Sequence, residues 1–171
     1  MAKIDLQLKK FSRKIEDSLK RRTSREEMRR LGLLAIELIV ERTQGRGKGV
    51  PPKRGSTGPY PNERPLKALS SSYKKYRRAN RDKLASETSP NKSNLTFTGR
   101  MLRSMRIKSI SQRSGELVIG PNRRARKGGL TNEDVAEFVS SARPFLNLSR
   151  REVATINKFI ERGLKSDLRK I

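Results

Sequence analysis

Charge constrains this chain more than any other feature: 42 lysine and arginine residues stand against 17 aspartate and glutamate, a formal net charge of +25. Self-repulsion of that size opposes a compact state unless something anionic lies nearby. Residues 1–43 carry 12 basic and 7 acidic groups, residues 44–131 carry 22 and 4, and residues 132–171 carry 8 and 6. Concentrated in a loop-rich middle, the excess points to contact with a polyanion or an acidic protein rather than to a uniformly solvated surface. Only 32% of the 171 residues are hydrophobic and 35% are charged, so a single domain has little apolar material for its interior. Part of the chain is therefore expected to be extended or to gain order from a partner.

Cysteine and histidine are both missing, which removes disulfides, thiolate metal sites, Ser-His-Asp triads and Cys-His pairs. From Lys3 onward charged and apolar residues alternate, unlike a signal peptide, and no apolar run is long enough to span a bilayer. Synthesis and use in the cytoplasm, without a membrane, is the expectation.

Periodicity predicts the elements. Ile4, Leu8, Phe11, Ile15 and Leu19 form one stripe of an amphipathic helix. Ser24 and Glu27 make a capping box that opens a second helix through Met28, Leu31, Leu34, Ala35, Leu38 and Ile39. Leu33, Ile36 and Val40 widen its apolar arc, predicting a core helix buried on more than one side. Between Gln44 and Pro65, glycines and prolines alternate with Arg46, Lys48, Lys53 and Arg54, and no regular element is expected there.

Ser70 can cap a short helix with Leu69, Tyr73 and Tyr76 on one side and Lys74, Lys75, Arg77, Arg78 and Arg81 over the rest. Residues 86–94 read as a polar, turn-rich loop. Thr98, as a cap, opens a helical turn through Met101 and Met105, with Gly99 as a turn residue. Two β-prone runs, 107–110 and 116–119, joined around Ser114 and Gly115, predict a hairpin. A basic loop follows, with Arg123, Arg124, Arg126 and Lys127, and then a short helix over 132–139 with acidic residues in its first turn. Arg143 and Pro144 end that helix, and the elbow at Arg143-Pro144-Phe145 is expected to anchor Phe145 and Leu146 in the core. A second capping box, Ser149 with Glu152, starts the closing helix, whose Val153, Ile156, Ile160 and Leu164 share a face.

Together these elements predict an α+β fold: helices packed on a small antiparallel hairpin, with long extended basic loops. One domain, 1–171, divides into a helical part (1–43), a Gly/Pro-rich basic arm (44–65) and an α+β part (66–171) ending in a helix.

Over roughly residues 65–165, the succession of short blocks resembles bacteriophage tail-completion proteins, also called virion morphogenesis proteins. Leu69-Ser70 with Tyr73 and Lys74 resembles the start of that family's mid-chain helix. Leu95 followed by Thr98-Gly99, Met101, Ser104 and Met105 is similar to its Leu, then Thr-Gly-x-Leu-x-x-Ser-Ile pattern, with Met at both aliphatic positions. Val118-Ile119-Gly120-Pro121-Asn122 resembles its strand ending in Ile-Gly-x-Asn. Arg143-Pro144-Phe145-Leu146-Asn147-Leu148-Ser149 resembles Arg-Pro-Phe-Leu-Gly-Leu-Ser. Two departures occur: Val135-Ala136-Glu137-Phe138-Val139 stands where the family has an aromatic and His-Gln-Phe-Gly, and Asn147 stands for Gly.

The resemblance implies a structural neck or tail-end protein at the head–tail junction. It would form a ring, with a hexamer expected, and contact adjacent neck, connector and tail-terminal proteins without cofactor or catalysis. In that setting Thr98, Gly99, Arg143, Pro144, Phe145 and Ser149 read as fold anchors. Arg46, Lys48, Lys53, Arg54, Arg123, Arg124, Arg126 and Lys127 are the candidate contacts to partners or to DNA phosphates. A second reading is a sequence-independent nucleic-acid-binding protein, against which stand 5% aromatic content and the lack of a zinc-finger, RRM or KH signature. A nuclease is a third: Glu133, Asp134 and Glu137 are the densest acidic group but match a helix first turn, and Gly45–Gly49 lacks P-loop spacing.

Overall fold

A computed structural model of the chain describes residues 25–51, 59–112, 116–123 and 129–168. The predicted N-terminal helix, Ser24 of the first capping box, the hairpin tip at Ser114 and Gly115, and the cations Lys53, Arg54, Arg124, Arg126 and Lys127 lie outside those residues.

Helix α1, Arg25–Val40, buries Met28, Gly32, Ala35 and Ile39, at steps of four, three and four. One stripe is enough to hold it. The wider arc is covered in part: Val40 packs against the core and Ile36 is half-buried, whereas Leu33 is 53% exposed. The stripe packs on the hairpin formed by β3, Met105–Ser111, and β4, Glu116–Pro121, and on the closing helix α5, Arg150–Leu168. Gly32 permits this approach: a Cβ there would sit 2.8 Å from Ile107 Cδ1 and 3.0 Å from Leu117 Cδ2. The hairpin is longer than its β-prone runs predict, and its register shifts between Ile107 and Ser109, leaving Lys108 as an extra residue on β3. That bulge switches the inward parity, so Ile107 pairs with Ile119 and Ile110 with Leu117.

Past α1 the chain takes one wider, π-type turn, Glu41–Gly45, that carries Arg42 and Thr43 inside. Here the expectation of no regular element between Gln44 and Pro65 is corrected. Strand β1, Lys48–Gly49, pairs antiparallel with β2, Arg64–Pro65, and Leu66 N donates to Gly47 O at 2.9 Å. Val50, fully buried, donates its N–H to Pro144 O at 2.9 Å. These bonds join positions far apart in sequence, which local glycine and proline content does not reveal. Gly49 is needed for the close approach, since a Cβ there would lie 2.3 Å from Pro144 O.

Helix α2, Ser71–Ala79, starts as predicted, with Ser70 Oγ accepting from Tyr73 N at 3.2 Å. Leu69 is buried and Lys75, Arg78 and Arg81 are exposed as expected, but two positions are reversed: Arg77 is 2% exposed, whereas Tyr76 is 52% exposed. A four-residue helix α3, Arg100–Arg103, follows the irregular segment from Leu84 to Gly99. Gly99, at φ 71°, holds its N-cap, and no side chain caps it, so Thr98 is not the cap. The Thr98 carbonyl instead accepts from Arg103 Nη2. Met105 belongs to β3, not to that helical turn. Helix α4 runs over Asn132–Ala142, three residues past its predicted end, behind a reciprocal capping box between Thr131 and Asp134. Arg143 and Pro144 close it, and Ser149 with Glu152 starts α5 as expected.

The core gathers Ile39, Met101, Leu102, Ala136 and Phe145, with Leu95, Ile119, Leu146 and Leu148 packed against it. Phe145 is fully buried, a contribution of about 2–3 kcal/mol from apolar transfer. Leu95 reaches this cluster from a backbone at φ 53°, a conformation that costs a branched residue on the order of 1–2 kcal/mol. The fold is α+β, with two small antiparallel sheets of two strands each among the described residues.

Replacing Gly49 by Ala should lower stability by about 1–3 kcal/mol, the usual cost of forcing atoms into filled space, because its neighbour is a backbone oxygen. Gly45→Ala, with nothing within 4 Å of the added carbon, should stay within about 0.5 kcal/mol of wild type. Urea unfolding of the two variants side by side measures the difference.

Candidate interaction surface

Two buried guanidinium groups organise the polar architecture. Arg42 is the next position of the α1 stripe, three residues beyond Ile39, and is fully buried. Its Nη1 donates to Glu152 Oε2 and to Asn147 O (2.9 Å), and its Nη2 donates to Phe145 O. Glu152 Oε2 also accepts from Ser149 N at 2.7 Å, while Ser149 Oγ caps Glu152 N at 3.2 Å. Through Ser149 the cluster reaches Glu63 (3.4 Å), which pairs with Arg46 at 2.9 Å and Lys48 at 3.5 Å. One connected network thus ties the π-type turn, the roots of the basic arm, the elbow and the start of α5. Burial lowers the pKa of Arg42, opposed by the negative charges of Glu152 and Glu63.

Arg77 performs the same task for the irregular segment after α2. Nη1 donates to Lys92 O (2.8 Å), and Nη2 to Thr88 Oγ1 (2.7 Å) and Thr96 O (2.8 Å). Asn94, fully buried, adds bonds to Gln44 O (3.0 Å) and Glu87 O (3.1 Å). The loop over 86–94 is therefore wrapped around one cation.

The sequence-predicted contact residues separate into distinct settings. Arg46 and Lys48 flank Glu63 at the root of the arm, so part of their charge is answered within the chain. Arg123, 83% exposed in its side chain, pairs with Glu133 at 2.8 Å. Of the predicted fold anchors, Gly99 and Phe145 fill the roles read from sequence, Pro144 supplies the carbonyl for Val50, and Arg143 donates to Ala68 O at 3.1 Å. Ser149 caps α5.

Two of the three acids of α4 are occupied electrostatically. Glu133 accepts from Lys108 and from Arg123, and Asp134 from Thr131. No group of three acidic residues is placed to hold a metal ion among the described residues. No described helix is long and apolar enough to cross a membrane.

Sequence reasoning did not find the cleft of about 840 Å³ between α4 and the amino end of α2. Val135, Phe138, Val139 and Ala142 line one wall, Leu69 and Tyr73 the other, with Leu95 and Met101 among the residues between. Tyr73 stacks on Tyr76 at 6.0 Å, and Tyr76 lies 5.7 Å from Phe97. The i, i+3, i+4, i+7 spacing of the α4 wall is a detectable signal, but alone it reads as a core-facing stripe. Phe138 is nevertheless 80% exposed.

No protein-family model, no curated protein and no solved structure matches the chain.

Glu152→Ala, which strands a buried guanidinium, should cost about 3–5 kcal/mol. The Arg42→Met/Glu152→Leu double variant should lose less than the sum of the two single changes, with a coupling of about 0.5–3 kcal/mol, read from a urea double-mutant cycle. A pH series tests the α4 end. Hydrogen bonds from Lys108 and then Arg123 lower the pKa of Glu133, and hydrogen bonds from Thr131 lower that of Asp134. Both ionise more readily folded than unfolded, so their stabilisation is present above the ordinary carboxylate range and lost as pH falls into the depressed folded range. The stability gap between wild type and Glu133→Gln/Asp134→Asn should accordingly close on acidification.

Proposed function

We propose that this chain is a non-enzymatic assembly protein of a bacteriophage particle, a tail-completion or neck component that joins neighbours at the head–tail junction. The observation that carries the reading is the convergence of its sequence blocks. Leu95 and Met101, Ile119, and Phe145 with Leu146 and Leu148 come from the three more specific blocks that resemble the tail-completion family, and they meet in one core around Ile39. The blocks thus act as scaffold determinants, and the surface built on that scaffold is suited to adhesion. Beside abundant cations it exposes Phe138 (80%), Leu130 (60%) and Leu33 (53%). A chain with few buried apolar side chains and uncovered ones of this size gains order by burying them against other molecules.

The partners in this reading are further copies, arranged as a ring with a hexamer expected, and the adjoining neck, connector and tail-terminal proteins. Mass photometry and size exclusion of the purified chain, alone and with those proteins, should give defined larger assemblies. A monomer that binds none of them sinks the proposal.

Nucleic acid is the second reading, favoured by the exposed Arg123 and the excess of cations over 44–131. Its contacts would be to phosphates and sequence-independent. With six or more phosphates neutralised, affinity for random duplex should fall about a thousandfold between 50 and 200 mM salt. A flat salt response removes phosphate neutralisation from the account.

A further inference from the structure

We propose that the cleft between α4 and the amino end of α2 is a docking site for a short acidic peptide segment with an apolar face, carried by a partner protein. This deepens the assembly reading above and rests on it. The α4 wall offers Val135, Phe138, Val139 and Ala142 at helical spacing, and Leu69, Leu95 and Met101 continue the apolar lining. Such a surface takes aliphatic or aromatic side chains. Phe138, 80% exposed, is placed to cover them.

Charge selects the rest of the occupant. No aspartate or glutamate lines the cleft, whereas Lys67, Arg77, Arg100 and Arg143 all do. Among the described residues no ion pair holds Lys67, Arg100 or Arg143. Two of these positions are fixed in advance: Ser93 Oγ donates to Lys67 O at 2.6 Å, and Arg143 is held by Ala68 O at 3.1 Å. Arg77 is 2% exposed, and its Nε is buried without a hydrogen-bond partner. Arg143 lies close enough to Arg77 for repulsion to add to the burial that lowers the Arg77 pKa. Helix α2, with no acidic residue in its first turn, brings the positive end of its dipole to the same rim through Ser70 and Tyr73. A carboxylate side chain at the rim complements Lys67, Arg100 and Arg143 and the helix end, while Arg77, sealed beneath, adds to the positive field without being touched.

The apolar lining decides between classes of polyanion. A nucleic-acid strand would satisfy the rim but leave Val135, Val139 and Met101 without a match. The chain's own first 24 residues carry eight basic groups against three acidic ones, the wrong sign for this rim. A second copy, at +25, has few carboxylates to offer this cationic rim, so copies in a ring would meet through other faces.

The test uses the full chain and a fluorescein-labelled 12-residue probe peptide of glutamates with leucine and phenylalanine at helical spacing, read by fluorescence polarisation. The expected result is saturable binding, with two control peptides bound about tenfold or more weakly, a loss of about 1.4 kcal/mol or more. In one control every glutamate is glutamine; in the other every apolar residue is glutamate. Phe138→Ser and Lys67→Glu/Arg100→Glu, all at exposed positions, should each weaken the probe by a similar factor while leaving the circular dichroism unchanged.

Equal binding of the all-glutamate control overturns the proposal in favour of general charge adhesion. So does indifference to Phe138→Ser, or competition by random single-stranded DNA that is itself sensitive to Phe138→Ser. No probe binding, together with self-association that Phe138→Ser abolishes, assigns the face to a second copy. No probe binding, together with Phe138-dependent binding of a peptide of residues 1–22, assigns it to the chain's own arm. If the probe fails while the chain still joins neck and tail proteins, the cleft proposal alone is lost. If the probe binds and no such protein does, the virion reading alone is lost.

Discussion

The buried pair of Arg42 and Glu152 is the constraint on which the remaining architecture depends. Removing two charges from water is costly, and here the cost is offset in part because several separate pieces of chain each supply a bond. Arg42 fixes the carbonyls of Phe145 and Asn147, and Glu152 fixes the Ser149 amide. The elbow is therefore held in place by a side chain about a hundred residues away in sequence, and Phe145 enters the core from a determined direction. The bond from Val50 to Pro144 then secures the root of the basic arm on the same elbow. A core this small has little to spare for positioning distant segments, and the polar network takes over part of that work.

Much of the scaffold was legible because its signals are local. Ser70, Ser149 with Glu152, and the β-prone runs around the hairpin each act within a few residues, and all lie where sequence reasoning put them. What escaped was non-local or ran against the usual partition of charge. Arg42 continues the buried stripe of α1 at the correct step, and Arg77 follows Leu66 and Leu69 inward, yet an arginine is ordinarily assigned to water. The strand pair at the root of the arm has two residues on each side and is specified by tertiary bonds rather than by propensity. Gly32 and Gly49 matter for what approaches them, which becomes visible only when Ile107 and Pro144 have positions. The cleft was illegible for a related reason: an apolar stripe announces itself in sequence, but whether it faces a core or an opening does not.

Placement of the two arginines takes two of the 42 cations out of the surface field. Arg42 is bonded to two carbonyls and the Glu152 carboxylate, and Arg77 to two carbonyls and the Thr88 hydroxyl, so much of each charge is solvated by protein rather than left to repel at the surface. Glu63, Glu133 and Glu152, three of the few acids available, each sit where they answer one or two cations. These three acids serve structure, while among the described residues cations such as Lys67, Arg100 and Arg106 stand exposed.

The extra residue in β3 bears on how the molecule behaves in a crowd. A sheet of two strands leaves an outer row of amides and carbonyls on each, a template on which an unrelated strand can add itself. With Lys108 inserted between Ile107 and Ser109, the spacing of that row is broken midway along β3, and the strand twists away from an even ladder. Exposed Arg106 on the same strand adds a solvated charge beside the break. A partner recruited by matching backbone alone would lose its footing at the irregularity, so the hairpin is guarded against indiscriminate fibre-like growth.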